Sequence, residues 1–531
     1  MKIKNILILL ALFISALGCN DFLDNMPKTA LTQEDVFNDL DNVELAVVGY
    51  IRNLRETQKE RDHFIFQLGS DEAKQGVWQV RENAEQAAFD RYNARMSPDN
   101  SAVYRQWNLR WPTIGQLAQT AYAIENSNAE DIGRKNLLYG EICFWRAMAS
   151  FELCQFWGDI PILDLNKMVE YGTSRRPVKD VYDFIINDLE IAIQYLPTTQ
   201  SDKSRPTSGI AKAVLGKLYL YAWEDSGVRD YAKALSFFEQ LTSSGSGYAL
   251  VSSYADLFDA SLPTFVENST ESIYEWQFQN VTSGGNASRI QWQAGSRMMT
   301  NLFPNCYFGG YDLLMPTEYY FNMVSEGGVW EEGDLRKDVS IRYDFAYKVP
   351  DTSNPDSVWI PDAVPGSWGG DELDPHCKKY EDYRGDGTLS FYYSGKNKHY
   401  IRLADVWLCQ AECLNELGRT SEAVAIVNDR IRTRAWGGTL PADKRWNSGM
   451  SQSEFRTMIM DERMRELAFE GWRRMDLIRT GNFIRLIKER NHWASETNEI
   501  QEFHMKYPIP LQEIMNNEDI NEEDQNLGYI N

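Results

Sequence analysis

The sequence predicts a mostly α-helical protein in which helical hairpins form a scaffold that carries an irregular, loop-rich lobe. Many stretches space apolar residues three and four apart, as amphipathic helices do. Residues 218–241 and 411–431 share one pattern, a helix, a short polar turn containing Gly, and a second helix that opens with Ala234 or Ala423. This repeated pattern is typical of tetratricopeptide-like hairpins, which stack into curved scaffolds.

The N-terminus reads as a targeting segment. Two lysines precede the apolar run Ile6–Leu17, which is too short to span a bilayer as a helix but suits a secretory signal. The small residues Ala16 and Gly18 lie just before Cys19, which fits the acylation site of a bacterial lipoprotein, so residues 1–18 are predicted to be removed. Ala16 and Leu17 depart from the usual lipoprotein pattern, so ordinary secretion and an uncleaved anchor stay open as alternatives.

The rest of the chain argues against a membrane-spanning helix and against a nucleic-acid partner. After Cys19 there is no apolar stretch near the length of a membrane span, so membrane attachment is expected to come from the lipid alone. The net charge of -23 offers no basic excess to release counterions from phosphate backbones. The sequence therefore predicts no nucleic-acid partner.

The helical elements follow one another through the first half of the chain and return in the last third. Residues 176–197 form an amphipathic helix that Pro197 ends, and residues 140–163 are apolar on nearly every side, as in a helix enclosed by neighbours. Further helical stretches are predicted to start near Glu34, Thr113, Ser208, Tyr231, Leu403, Ser421 and Phe455.

The composition changes in the middle of the chain. Between 243 and 398 the helical period fades, and Gly, Pro, Asn, Ser and aromatic residues dominate. A structureless loop of that length is improbable, so this part is predicted to be a lobe packed on the scaffold. The predicted organisation is a signal at 1–18, a helical scaffold at 19–242, the lobe at 243–398, and a helical region at 399–531 that packs on the same scaffold.

Cysteine and histidine spacing predicts neither disulfides within helices nor a structural metal. Cys143 and Cys154 lie eleven residues apart in one helix, too far for a disulfide, whereas Cys409 and Cys413 lie one turn apart and suit a core. The five histidines show no metal-ligand spacing, and no cofactor is predicted. Calcium stays open, since oxygen ligands in a lobe need no fixed spacing.

Catalytic signatures are missing from the sequence. It has no G-x-S-x-G elbow and no H-E-x-x-H motif. Asp71 and Glu72 are neighbours in sequence, and adjacent carboxylates seldom flank one glycosidic bond at the required separation. The densest charged motif, residues 461–481, alternates sign at helical spacings and predicts a structural ion-pair network. We therefore predict that the protein is not an enzyme.

Aromatic residues make up 13% of the chain, with sixteen Trp, and have two interpretations. Inside helices they are most simply core. Among Gly, Asn and Asp in irregular segments, an exposed ring stacks on the apolar face of a sugar while nearby polar side chains bind its hydroxyls. The ligand-binding candidates are Trp78, Arg81, Trp292, Tyr307 and Trp368, with packing as the alternative for each.

Several motifs resemble the SusD/RagB family of outer-membrane lipoproteins from Bacteroidetes. They are "CNDFLDNMP", "FWRAMASFELCQFWGDIPIL", "SRPTSGIAKAVLGKLYLYA", "RLADVWLCQAECLNELG", "RELAFEGWRRMDLIRTG" and "YPIPLQEIMNNEDINEEDQNLGY", together with "YADLFDAS" and "NSTESIYEWQF". The resemblance spans both ends and the middle of the chain in order. It implies a tetratricopeptide-like scaffold with a ligand-binding lobe, a lipid on Cys19 that holds the protein at the outer membrane facing outward, and a SusC-like TonB-dependent transporter as partner.

The resemblance implies glycan capture for uptake, but its motifs belong to the scaffold and do not identify ligand-binding residues. The five candidates therefore rest on chemistry and placement alone. Two other functions stay open at this point: capture of peptide or another nutrient, and a structural lid that binds only the transporter.

Overall fold

The computed structural model describes residues 39–77, 79, 84–163, 172–279, 285–296, 310–344, 347–348, 358–359, 371, 374–382, 384, 393–496 and 498–529. Among these, no helix combines the length and the apolarity that crossing a membrane requires. The helix predicted to start near Glu34 has its predicted start outside this set, and the first helix described begins at Leu40.

Seven α-helices are described between Leu40 and Thr242; six of them have 12 to 26 residues, and these pack on one another. They are α1 (Leu40–Glu56), α2 (Ala84–Arg91), α3 (Ser101–Glu125), α4 (Ile132–Trp157), α5 (Val178–Tyr195), α6 (Ser208–Tyr221) and α7 (Tyr231–Thr242). Side-chain N-caps begin several of them: Asn100 accepts from two backbone N–H groups of α3, and Asp230 does the same for α7.

From Ala255 to Ser340 the helices have only four or five residues, and longer helices return at Leu403. The short ones are α8 (Ala255–Phe258), α9 (Ile290–Ala294), α10 (Glu318–Phe321) and α11 (Arg336–Ser340). The later ones are α12 (Leu403–Glu416), α13 (Thr420–Ile426), α14 (Thr433–Ala435), α15 (Gln452–Leu467), α16 (Arg473–Arg479), α17 (Phe483–Arg490), α18 (His492–Ser495) and α19 (Leu511–Asn516), with a π-helical stretch at Val427–Arg432.

The strands are short and, within the described residues, pair only two by two. They are β1 (Ala73–Lys74), β2 (Ile160–Pro161), β3 (Arg175–Arg176), β4 (Ser272–Trp276), β5 (Met315–Pro316), β6 (Ile341–Arg342), β7 (Tyr347–Lys348), β8 (Val358–Trp359), β9 (His376–Cys377) and β10 (Lys398–Arg402). The antiparallel pairs are β1 with β5, β2 with β3, β4 with β10, β6 with β9, and β7 with β8. The protein is thus mostly helical, as predicted.

The apolar patterns predict the core well. On α5, Val181, Ile185, Leu189 and Ala192 are fully buried, and α4 is buried without interruption from Gly140 to Trp157. The cysteines follow the same rule, because Cys143, Cys154, Cys377, Cys409 and Cys413 are all buried and free.

The prediction that a helix starts near Thr113 is wrong, because α3 begins at Ser101 and runs through Pro112. A proline inside a helix removes one backbone hydrogen bond. Here the Asn100 cap and the burial of residues such as Val103 and Trp107 hold the turns that precede the proline. The local signal of Pro112 is therefore overridden by packing.

Both predicted hairpins form. Helix α6 packs on α7, and α12 packs on α13, with Gly227 and Gly418 in the turns at φ values of +67° and +78°. A left-handed backbone of this kind favours glycine because other residues strain there. Ala234 and Ala423 are fully buried, and α7 also packs on α12, so the two hairpins are neighbours.

Gly216 on α6 lies against the ring of Phe238 on α7, and it offers a test of the packing between the two helices. A Cβ atom at position 216 would lie 2.7 Å from the ring of Phe238. We expect Gly216→Val to lower the free energy of unfolding by about 1–3 kcal/mol in urea denaturation, because this packed core has no room for added atoms. Gly245→Val is the control, since nothing lies within 4 Å of a Cβ there. Equal loss in both variants would contradict a close approach at Gly216.

The charged motif at 461–481 is buried as an ion-pair network, as predicted. Within it, Arg465 pairs with Glu462 at 2.8 Å, and Arg463 pairs with Asp476 at 2.8 Å. The sequence did not indicate the partners from elsewhere in the chain, which are buried as well. They include Arg336, Arg402 and Arg434, which pair with Glu466, and Glu271, which pairs with Arg402 and Arg434.

Candidate functional site: an aromatic surface on the lobe

The structure describes one of the six predicted site residues. Trp292 lies on α9 and is half-buried. The remaining predicted site residues, Cys19, Trp78, Arg81, Tyr307 and Trp368, lie outside the described residues. The site is therefore built here from Trp292 and its neighbours.

Trp292 belongs to a group of half-buried rings around one arginine. Its ring centroid lies 4.8 Å from that of Tyr311, with the two planes tilted by 40°. The guanidinium carbon of Arg289 lies 5.1 Å from the Trp292 ring and 5.9 Å from the ring of Tyr393. Trp292, Tyr311 and Tyr393, all half-buried, and Arg289 together form what we call the aromatic surface.

Backbone hydrogen bonds hold the segments of the aromatic surface together. The Arg289 N–H donates to the carbonyl of Lys59 at 3.0 Å. Ser288 and Ser394 exchange two backbone hydrogen bonds of 2.8 Å, which brings Tyr393 beside Arg289. The Tyr311 N–H donates to the carbonyl of Gly295 at 2.9 Å, just beyond α9. Four chain segments that are distant in sequence therefore meet at this surface.

Two further segments reach the same place. The Gly76 N–H donates to the Asp312 carbonyl at 2.8 Å, and the Val77 N–H donates to Oδ2 of Asp371 at 2.6 Å. A Cβ atom on Gly76 would lie 2.7 Å from the Asp312 Cβ, so this approach requires glycine. In sequence, Val77 precedes Trp78, Asp312 follows Tyr307, and Asp371 follows Trp368.

Asp312 also holds a buried histidine beneath this junction. Nε2 of His376 lies 3.1 Å from Oδ1 of Asp312, and its Nδ1 lies 2.6 Å from the Asp374 carbonyl. Burial alone would lower the pKa of His376, but the hydrogen bond and the charge of Asp312 raise it above its ordinary value. The pair ties β9 to the segment that carries Tyr311.

Glu60 lies at the edge of the aromatic surface. One of its carboxylate oxygens, Oε2, lies 3.6 Å from Nη1 of Arg289 and accepts a hydrogen bond of 3.2 Å from Gln293. Burial raises the pKa of Glu60, and the neighbouring Arg289 opposes that rise.

Sequence reasoning missed Arg289, Glu60, Tyr311 and Tyr393. The only signal in the sequence that pointed toward them was the abundance of aromatic residues in the lobe.

Other features of the described chain are structural. Asp71, one of the two adjacent carboxylates, accepts two hydrogen bonds of 2.6 Å from Arg473 and is therefore held in a structural ion pair. In the residues described, no group of three His, Cys, Asp or Glu side chains is arranged to hold a metal ion. A cleft of about 940 Å³ near Met450 is floored by Trp330 and Trp446, but these rings are 1% and 6% exposed and present no open face.

Comparison with known proteins identifies relatives along the whole chain. The model of the SusD family matches residues 270–529, and a second family model, described as starch-binding associating with outer membrane, matches residues 21–220. SusD-like protein P25 of Formosa agariphila is 26% identical over 100% of both chains. The starch-binding protein SusD of Bacteroides thetaiotaomicron is 24% identical over 73% of this chain and 72% of its own.

Solved structures show the same fold. A SusD homologue from Bacteroides thetaiotaomicron superposes with a TM-score of 0.73 at 21% identity, covering 93% of this chain and 98% of the other. Surface glycan-binding protein A of the same organism, in complex with laminarihexaose, superposes with a TM-score of 0.70 at 19% identity, covering 92% of this chain and 99% of the other.

These matches define the class as helical, non-catalytic surface proteins that associate with the outer membrane. The chain belongs to the SusD/RagB family. The predicted family is thereby confirmed, and the family supports the prediction that the protein is not an enzyme.

Proposed function

We propose that this protein is a lipid-anchored outer-membrane protein that binds glycan outside the cell and delivers it to a SusC-like TonB-dependent transporter. The aromatic surface carries the binding part of the proposal, because it places three half-buried rings and an arginine on the lobe of a SusD/RagB family protein. Attachment through a lipid on Cys19, exposure to the exterior and the transporter partner rest on the sequence motifs.

The chemistry of the aromatic surface suits a sugar. Rings that keep part of their surface exposed can cover the apolar face of a pyranose, while the guanidinium and carboxylate beside them bind hydroxyl groups. Hydrogen bonds between polar groups and sugar replace those with water, so the net gain per contact is small. A modest affinity is therefore expected, and tethering beside a transporter raises the effective concentration of bound glycan.

We further propose that Trp78, Arg81, Tyr307 and Trp368 contribute to the same site. The support is the meeting of Val77, Asp312 and Asp371, which are their near neighbours in sequence, next to the segment that carries Tyr311. Each of the four residues is tested by its own alanine variant in the experiment below.

The test is affinity electrophoresis of residues 20–531 through gels that contain single polysaccharides. We expect at least one polymer to retard the protein, and Trp292→Ala to weaken this binding by about ten-fold or more, as loss of a central aromatic contact does. Trp436→Ala is the control, since this half-buried ring packs on Arg432 and donates to the Glu332 carbonyl, neither of which belongs to the aromatic surface.

Two outcomes would contradict the proposal. Retardation that Trp292→Ala leaves unchanged would show that glycan binds elsewhere. Failure of every polymer and oligosaccharide to bind, with transporter association intact, would favour a structural lid, and binding of peptides in their place would favour another nutrient.

A further inference from the structure

Arg289 differs from buried arginines such as Arg473 in the hydrogen bonds that its guanidinium makes. Among the described residues, none accepts a hydrogen bond from its guanidinium, and none pairs with its buried Nε. Its ion pair with Glu60, at 3.6 Å, is longer than a hydrogen bond. Arg473, in contrast, donates two hydrogen bonds of 2.6 Å to Asp71. The Arg289 guanidinium therefore keeps donors that no group in the described chain uses.

The position of this guanidinium is nevertheless well defined. The Arg289 backbone N–H donates a hydrogen bond to Lys59, the residue before Glu60. The adjacent Ser288 exchanges backbone hydrogen bonds with Ser394, the residue after Tyr393. The side chain then packs against the rings of Trp292 and Tyr393. Such placement reduces the conformational entropy that a ligand contact must overcome.

Arg289 and Glu60 are both accessible to a ligand. Their side chains are 33% and 35% exposed, respectively. They place hydrogen-bond donors and an acceptor side by side, with the guanidinium carbon of Arg289 5.1 Å from the centroid of the Trp292 ring. Two adjacent sugar hydroxyls match that pattern, because one oxygen accepts from Arg289 while the next hydroxyl donates to Glu60.

The same arrangement disfavours an anionic sugar. A carboxylate or sulfate bound to the exposed nitrogens of Arg289 would lie close to the Glu60 carboxylate, and two like charges at short range repel. The fork formed by Nε and Nη2, which would bind a carboxylate with two hydrogen bonds, is closed because Nε is buried.

We propose that Arg289 and Glu60 are specificity-determining residues that select uncharged sugars with adjacent hydroxyl groups over uronate or sulfated sugars. This inference rests on the proposed function, since it assumes that the aromatic surface binds glycan. Arg289 donates a hydrogen bond to one sugar hydroxyl, and Glu60 accepts one from the next hydroxyl and repels anionic groups.

The test compares gels containing starch, laminarin or another neutral polysaccharide with gels containing polygalacturonate. We expect a neutral polymer to retard the wild-type protein and polygalacturonate to leave it unretarded. Arg289→Gln should weaken neutral binding by about ten-fold or more. Glu60→Gln should also weaken neutral binding but should create retardation by polygalacturonate, because the charge of Arg289 is then uncompensated.

The matched control is the exposed pair Arg419 and Glu422, whose Gln variants should bind as the wild type does. Thermal unfolding of each variant checks that the fold is kept. Preferential binding of polygalacturonate by the wild type would overturn the inference while glycan binding stands. The same follows if Trp292→Ala loses binding and both pair variants retain it. Absence of all binding would instead refute the proposed function.

Discussion

Replacing Glu466 with Gln should lower the free energy of unfolding by about 3–5 kcal/mol. Glu466 is fully buried and accepts from Arg402 at 2.6 Å, from Arg336 at 2.9 Å, and from Arg434. Burial alone would raise the pKa of Glu466, but Arg434 and Arg402 lower it to about 2. Neutralising this carboxylate leaves buried guanidinium charges uncompensated, which is costly in a low-dielectric interior.

Urea denaturation at pH 7 measures this loss. The control is Glu422→Gln, which breaks an exposed pair with Arg419 and should leave the free energy of unfolding almost unchanged. Because the folded-state pKa of Glu466 lies below the ordinary 4.5, its contribution is present above pH 4.5 and disappears as the pH falls toward 2. A loss no larger than that of the control would contradict a structural role for the network.

Replacing Lys398 with Met should change how stability depends on pH. Nζ of Lys398 is buried, donates to Oε1 of Gln58 at 2.8 Å, and lies 2.7 Å from Nε2 of His63. Burial lowers the pKa of Lys398 from 10.5 to about 7, although Glu152 and Glu470 oppose the shift. Between those values the unfolded chain binds a proton that the folded chain does not, so this group makes wild-type stability fall as the pH falls.

The expected signal is the difference in unfolding free energy between the wild type and Lys398→Met. That difference should shift in favour of the wild type by about 1.4 kcal/mol per pH unit as the pH rises from 7 to 9. Lys203→Met removes an exposed ammonium and is the control, for which we expect no such slope. A flat difference for Lys398→Met would mean that the buried amine stays charged across this range.

The helical scaffold was predictable because helices depend on the spacing of apolar residues that are near one another in sequence. The alternation of buried and exposed positions on α5 follows directly from its apolar spacing, and Pro197 lies just beyond its end. The same reasoning failed at Pro112, where contacts distant in sequence outweigh the preference of a single residue. Local patterns therefore place helices more reliably than they place the ends of buried ones.

The candidate site was predictable only in kind. Aromatic residues among Gly and Asn marked the lobe and led to Trp292, which lies at the aromatic surface. Nothing local distinguishes Arg289 from other arginines, since its role depends on Glu60 and Tyr393, which are far away in the chain. Such convergence becomes visible only when the backbone hydrogen bonds between segments are known.

The sequence by itself determined the helical class, the family and the ionic character of the 461–481 motif, because each depends on short-range spacing or on a contiguous motif, whereas lipid attachment at Cys19 stays a prediction. Tertiary structure alone decided which distant charges neutralise Glu466 and which rings surround Arg289. The physical reason is that burial and pairing depend on packing between segments remote in sequence, and local composition does not encode which of them meet.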